Sequence, residues 1–376
     1  SASSDAITVA NDGTCTANIT NNLSNRNLII NGSMIVAQRG TSSTADNYQT
    51  VDRFDIEDAG TDEACTREQA SVASGTTPYS LGFRKCLKIT NGNQTSGAGA
   101  SDYVQISYKP EAQDIARSGW NYTSTSSFIT LSFWIKSSVA QAFSGSIRTA
   151  DGTQQSFKFD TPSLSADTWT KVTKTIPGNS NLTFDENNAK GLDIFLYPFI
   201  GTTFTSSNSN TETWISASGD TYANDMTSTW YTTNDATLEV TGYQLEVGSF
   251  ATDFEHRSFA QELALCERYC QVIAEGANRY FATSFAYNTS LAIGCFTFKT
   301  KMRSQPSMVQ TTGTNYYFLA QAGTIHYFTQ FEALSHVGKD QSGIYPDQSA
   351  MSVTAGQAGG LSTVNASAKL LLVAEI

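Results

Sequence analysis

The sequence predicts an all-β protein: an antiparallel jelly-roll sandwich, one connecting helix, then a smaller C-terminal β region. Three observations predict it. Short apolar runs alternate with polar residues and are punctuated by Gly, Asn and Asp turns. Charged residues are only 15% of the 376, whereas apolar residues reach 39% and aromatics 11%, so a polar but weakly ionic skin surrounds substantial cores. A single stretch, residues 258–275, has convincing helical periodicity. The length suits two or three domains, and the divisions fall at 1–26, 27–256, 257–276 and 277–376.

Taken in order, residues 6–10 and 14–20 flank the turn Asn11-Asp12-Gly13 and read as a hairpin. A lone two-stranded hairpin is marginal in water, so residues 1–26 are expected to act as a tether packed on another chain or on an upstream part. Strands are then predicted at 28–30, 34–38, 51–57, 86–90 and 103–108. FITLSFWIK, residues 128–136, alternates cleanly, with Ile129, Leu131, Phe133 and Ile135 on one face and Phe128 and Trp134 on the other. Further strands follow at 145–149, 156–160, 169–176, 192–199 and 237–247. Many antiparallel strands with Gly/Asn turns make a two-sheet sandwich, with Trp134 and Trp169 expected in its core.

The helix has Ser258 as N-cap, Gln261 completing a capping box, and Gly276 where a left-handed stop belongs. One apolar row is Phe259, Leu263, Cys266, Cys270 and Ile273; a second is Leu265, Tyr269 and Val272. Two rows suit a helix with two neighbours, its own domain and a symmetry mate. The plainer alternative is a wide-faced core helix between two domains. Leu265, Tyr269 and Val272 are the candidate oligomer interface. Strands resume at 279–286, 290–301, 316–320, 325–331, 352–355 and 368–376, a β region small enough to fold more readily against partner surface.

Little in the chain points to catalysis. The net charge of −11, without a Lys/Arg cluster, argues against nucleic acid. No apolar stretch approaches the ~18 residues of a membrane span, and no signal peptide is visible. There is no phosphate-binding or dinucleotide glycine motif and no nucleophile elbow, and no cofactor is expected. His256, His326 and His336 lack partners at ligand spacing; Cys266 and Cys270 lie one helical turn apart, but no second pair completes a metal site, so any bound metal stays unspecified. The six cysteines have no framework spacing and read as buried thiols; Cys65 and Cys86 could pair only in an oxidising compartment, and the expectation is that they do not. The 34 acidic residues leave a carboxylate pair for glycoside cleavage open. The stronger lead is aromatic. Trp120 and Tyr122, like Trp230 and Tyr231, lie in polar stretches where flat rings suit sugar stacking, and Trp214 and Tyr222 share that setting. The bland reading is that they plug sheet edges or a subunit interface.

Several segments resemble tailed-phage virion proteins, namely tail-fibre or appendage proteins of marine and cyanobacterial phages. They are NLIINGSMIVAQRGTSST with YQTVDRF, LSFWIKSS, WTKVTKTIPGN, and above all GYQLEVGSFATDFEHRSFAQELALCERYC. KMRSQPSMV and the terminal AEI belong to the same pattern; residues from about 304 to 365 do not. The resemblance implies a carbohydrate-binding-module-like jelly roll, a connecting helix and a trimer-forming β region. It further implies a non-enzymatic structural or adsorption role on a virion assembled in the host cytoplasm. The expected partners are two further copies, other virion proteins through the N-terminal segment, and host-surface glycan. A capsid-surface fibre or decoration protein is one alternative, and a tail-borne glycan hydrolase the other.

Overall fold

The computed structural model describes residues 26–206, 211–217, 221–347 and 352–376, together with the backbone of Ile7–Val9 and Cys15–Ala17. Those two short strands pair antiparallel, Ile7 opposite Ala17; the turn expected at Asn11-Asp12-Gly13 lies outside the described residues.

Among the described residues, two six-stranded sheets form the sandwich. The first runs Trp214–Ser216, Gln155–Asp160, Ser144–Thr149, Leu192–Ile200, Tyr103–Tyr108, Phe54–Ala59. The second runs Thr170–Pro177, Phe128–Ser137, Thr237–Val247, Lys85–Thr90, Thr66–Ser71, Ser42–Ser43. Neighbours in both sheets are antiparallel and mostly non-consecutive in the chain, as in jelly-roll-like sandwiches. Alternation explains why they meet. Ile129, Leu131, Phe133 and Ile135 of the second sheet share one buried cluster with Phe54, Ile56, Val104, Ile106 and Ile147 of the first. Tyr243 bridges the layers, stacked on Phe133 at 4.6 Å and edge-on to Phe54 at 5.5 Å.

The segments 28–30 and 34–38, expected as strands, are instead an irregular edge. Asn31 and Met34 adopt positive φ, and the Asn31 amide holds the loop by donating to Val36 and Asp52 carbonyls at 2.9 Å each. Gly32 makes this approach possible, because a Cβ there would sit 2.0 Å from the Tyr243 carbonyl oxygen. Thr66–Ser71 was not foreseen: its sequence, TREQAS, does not alternate, and its buried Arg67 is held by Asp46 and Asp58 rather than by apolar packing.

The C-terminal part holds a seven-stranded antiparallel sheet and a three-stranded one. The larger runs Thr324–Phe328, Tyr317–Gln321, Ala358–Thr363, Tyr280–Ala286, Ala292–Thr297, Gln341–Pro346, Phe331–Ser335. The predicted strand 325–331 is two strands that end at opposite edges of this sheet. Residues 352–355 form no strand, whereas Ser307–Gln310, Gln341–Pro346 and Ala358–Thr363 were missed.

The helix is the main correction. It spans Phe259–Cys266 rather than 258–275, with the predicted Ser258/Gln261 capping box in place. Cys270–Glu275 is a strand of the three-stranded sheet, paired with Lys369–Val373, which itself pairs with Ser307–Gln310. The reason is tertiary. The run CQVIA satisfies its backbone by pairing with LLLV, and pairing outweighs a helical pattern sustained only by spacing. Gly276, at φ +82°, closes that strand instead of a helix.

Candidate functional site

The segment that follows the sandwich does not simply hang between two parts; it is riveted to both. Asn27 N donates to Glu255 at 2.8 Å, and Glu255 N donates to the Gln244 side chain at 2.8 Å. On the helix, Glu262 faces inward and accepts from Asn31 N at 2.7 Å. Arg268 then grips Glu111 through two bonds of 2.6 and 2.8 Å, while the Tyr269 hydroxyl donates to the same carboxylate at 2.6 Å. Glu111 is fully buried. Burial alone would raise its pKa, but the donors from Arg268 and Tyr269 prevail and hold it below the ordinary range.

A second rivet fastens the chain's last residues. The buried Arg53 guanidinium lies 3.5 Å over the Tyr269 ring and pairs with Glu375 at 2.6 Å. Arg39 pairs with the same Glu375 at 3.0 Å, and Tyr48 donates to the Ile376 carbonyl at 2.9 Å. Arg303 donates to the Ala374 and Glu375 carbonyls and also to Asn188 of the sandwich, at 2.6–2.9 Å. Beside them Gln38 donates to both the Cys270 carbonyl and Asp52 at 2.6 Å. Asp52 is pushed up to about 6 by burial, which Arg39 and Gln38 only partly offset.

These contacts separate the three residues expected at an oligomer interface. Tyr269 is buried within its own chain against Arg53 and Glu111, and Val272 lies in a strand opposite Leu371. They cannot form one outward row with Leu265, because the helix ends before them. Leu265 does face solvent, as do Phe259 and Val247. Leu265 and Val247 line an open groove with Leu28, Ile30 and Arg117.

The aromatic candidates divide. Trp230 and Tyr231 sit in a helical turn, Thr229–Thr232, and both are fully buried; Tyr231 stacks on Phe199 at 4.4 Å and donates to Asp102 at 3.1 Å. Trp120 is buried with its indole N–H on the Ser127 carbonyl, at 3.3 Å. Tyr122 is half-buried, edge-on to Phe184 at 4.9 Å. Trp214 is buried and donates to the Pro177 carbonyl at 2.7 Å. No common stacking platform results. Conversely Trp134 and Trp169, expected in the core, are half-buried on the outer face of the second sheet, packed with Phe83, Phe254 and Tyr79. The alternation of FITLSFWIK could have shown this, since Trp134 falls on the face opposite Ile135.

All five cysteines of the described residues are free, Cys65 and Cys86 included. Among the described residues no three His, Cys, Asp or Glu side chains cluster as a metal site, and no helix is long and apolar enough to cross a membrane.

Comparison with models of protein families gives no match, and neither does comparison with curated proteins. Among solved structures the chain is similar to the enzymatically active domain of bacteriophage CBA120 tailspike protein 4, at 10% identity and TM-score 0.31 over 59% of this chain. That match spans only 22% of the tailspike chain. It is also similar to the N-terminal cellulose-binding domain of Cellulomonas fimi β-1,4-glucanase C, at 11% identity and TM-score 0.27, covering 58% of this chain and 99% of that domain. A family 11 carbohydrate-binding module from Clostridium thermocellum matches at 13% identity and TM-score 0.25, covering 57% and 98%. Likenesses this partial carry no information on what the chain binds or does. The jelly-roll-like description rests on the strand order itself.

Proposed function

We propose that the chain is a non-enzymatic structural subunit of a tailed-phage virion, a tail fibre or similar appendage built from three copies. Its N-terminal segment would attach it to other virion proteins, and its sandwich would meet host-surface glycan. Assembly would take place in the host cytoplasm. The observation that carries this reading is the doubly riveted joint, in which Glu111 and Glu375 lock residues 268–269 and the last residues onto the sandwich. Such a joint suits a part that transmits load and orientation rather than one that opens around a substrate. The segment QLEVGSFATDFEHRS, which carries the phage resemblance, leads directly into it.

Immunogold labelling of intact virions with antibody raised against the chain tests the reading. Label on tail appendages is expected. Label on the capsid surface would favour the decoration alternative, and unlabelled virions would overturn the proposal. Incubation with purified host polysaccharide should release no reducing sugar; sustained turnover abolished by one Asp or Glu substitution would favour the hydrolase instead.

A further inference from the structure

On the outer face of the second sheet lies a pocket that no loop-aromatic pattern indicated. Where Thr237–Val247 pairs with Phe128–Ser137, the register shifts between Thr241 and Gln244, and Gly242 occupies the shift at φ +67°. A Cβ there would lie 2.8 Å from the Phe83 ring and 3.2 Å from Trp134, so glycine lets both rings close over the backbone. Phe83, Phe254 and His256 form a mutual cluster with centroids 4.9–5.1 Å apart. His256 Nε2 lies 2.9 Å from the Leu81 carbonyl oxygen, which sets its ring. Trp134, Ser132 and Thr252 complete the lining together with the exposed Lys171 and Asp253, enclosing about 230 Å³.

We infer that this pocket holds one neutral sugar ring. Aromatic walls suit the C–H faces of a pyranose, and the exposed ammonium of Lys171 and carboxylate of Asp253 suit its hydroxyls. The volume is below the ~300–1,000 Å³ of sites that enclose drug-sized ligands, so a single ring fits better than a chain of them. Charge selects further. The lining carries one cation, Lys171, and one carboxylate, Asp253, beside His256, and this balance favours a neutral ring over a uronate or phosphate. The inference rests on the proposal that the sandwich meets glycan, and moves the contact from Trp120, Tyr122, Trp230 and Tyr231 to Trp134.

The test uses the full chain labelled with 5-fluorotryptophan, whose five tryptophans give separable fluorine resonances. Glucose, galactose, mannose and N-acetylglucosamine are titrated to ~100 mM, with Trp134 assigned from W134F. The expected result is a saturable Trp134 shift with at least one sugar, half-complete at ~1–10 mM, as for other contacts worth about 3–4 kcal/mol. W134A should weaken binding at least tenfold, read at the remaining tryptophans, and W120F should leave it unchanged. If W134A melts early by circular dichroism, the rim variant K171A/D253A replaces it and should weaken binding at least threefold. No Trp134 shift with any of the four sugars overturns the inference, as does equal affinity in the variants. Virion labelling is independent: a virion-borne chain that ignores all four sugars sinks this pocket and leaves the appendage standing.

Discussion

The sandwich and the C-terminal sheet are both antiparallel, yet they treat apolar surface in opposite ways. In the sandwich, the inward residues of two sheets close on each other, and the core is complete within one chain. The seven-stranded sheet buries Tyr317, Leu319, Phe331 and Leu361 on one face. On its other face the cross-strand row Tyr327, Phe318, Ser362, Tyr280 carries aromatic rings 5.5–6.2 Å apart, with Tyr280 65% exposed. Ile325 and Phe285 add to that exposed face. Exposed apolar side chains gathered on one face suit contact with another surface. The difference teaches where dependence lies: the sandwich needs only itself, while the sheet leans on the joint and, in the proposed trimer, on a neighbour.

Breaking the joint should separate the two behaviours most. Replacing Arg53 with Ala leaves Glu375 short of its closest partner and strips the cation from the Tyr269 ring. Losing one member of a buried pair costs roughly 3–5 kcal/mol. Calorimetry should then resolve two transitions, the C-terminal part melting first and the sandwich, where Arg53 also donates to the Lys109 carbonyl, shifting less. A single shared transition in R53A would mean that the joint is not what couples them.

The joint also carries opposed pH signatures. Asp52 is raised from an ordinary ~3.9 to about 6, so the fold favours its protonated form. Its contribution to stability is therefore fullest below pH ~4 and is lost as pH rises through 6, about 3 kcal/mol in all. Glu111, held low by Arg268 and Tyr269, works the other way, its stabilisation present above pH ~4.3 and lost as pH falls. D52N should consequently gain on the wild type between pH 4 and pH 8, measured by urea unfolding at each pH. Parallel curves for the two proteins would remove Asp52 from the account. Smaller still is the helix cap. S258A should cost about 1 kcal/mol, since it deletes one half of the capping box while Leu265 and the strand that follows stay in place.

Much of the sandwich was legible because its strands are short apolar or alternating runs bounded by turn residues. Tyr103–Tyr108 and Thr237–Val247 fall where alternation puts them, and Phe128–Ser137 gains a single residue. What was not legible depends on distant partners. Nothing local in CQVIAE reveals that LLLV, nearly a hundred residues on, will pair with it. TREQAS forms a strand around a buried Arg67 whose carboxylates come from other segments. Three of the four sugar-stacking candidates, Trp120, Trp230 and Tyr231, are buried, for a related reason. Trp230 and Tyr231 occur among Thr, Ser and Asn, but a helical turn folds both rings into the core, so polar neighbours in sequence were no guide to exposure. Trp134 was readable from period-two alternation, and the expectation that large aromatics fill cores obscured it.

The claim that the C-terminal sheet completes itself against further copies is met most directly by sedimentation equilibrium of the full chain at micromolar concentration. The account predicts a single species of three times the 40.6 kDa chain mass. It further predicts that Y280D/Y327D yields folded monomers with an unchanged sandwich transition. A wild type that sediments as one 40.6 kDa chain throughout, or a double variant that stays trimeric, would contradict it.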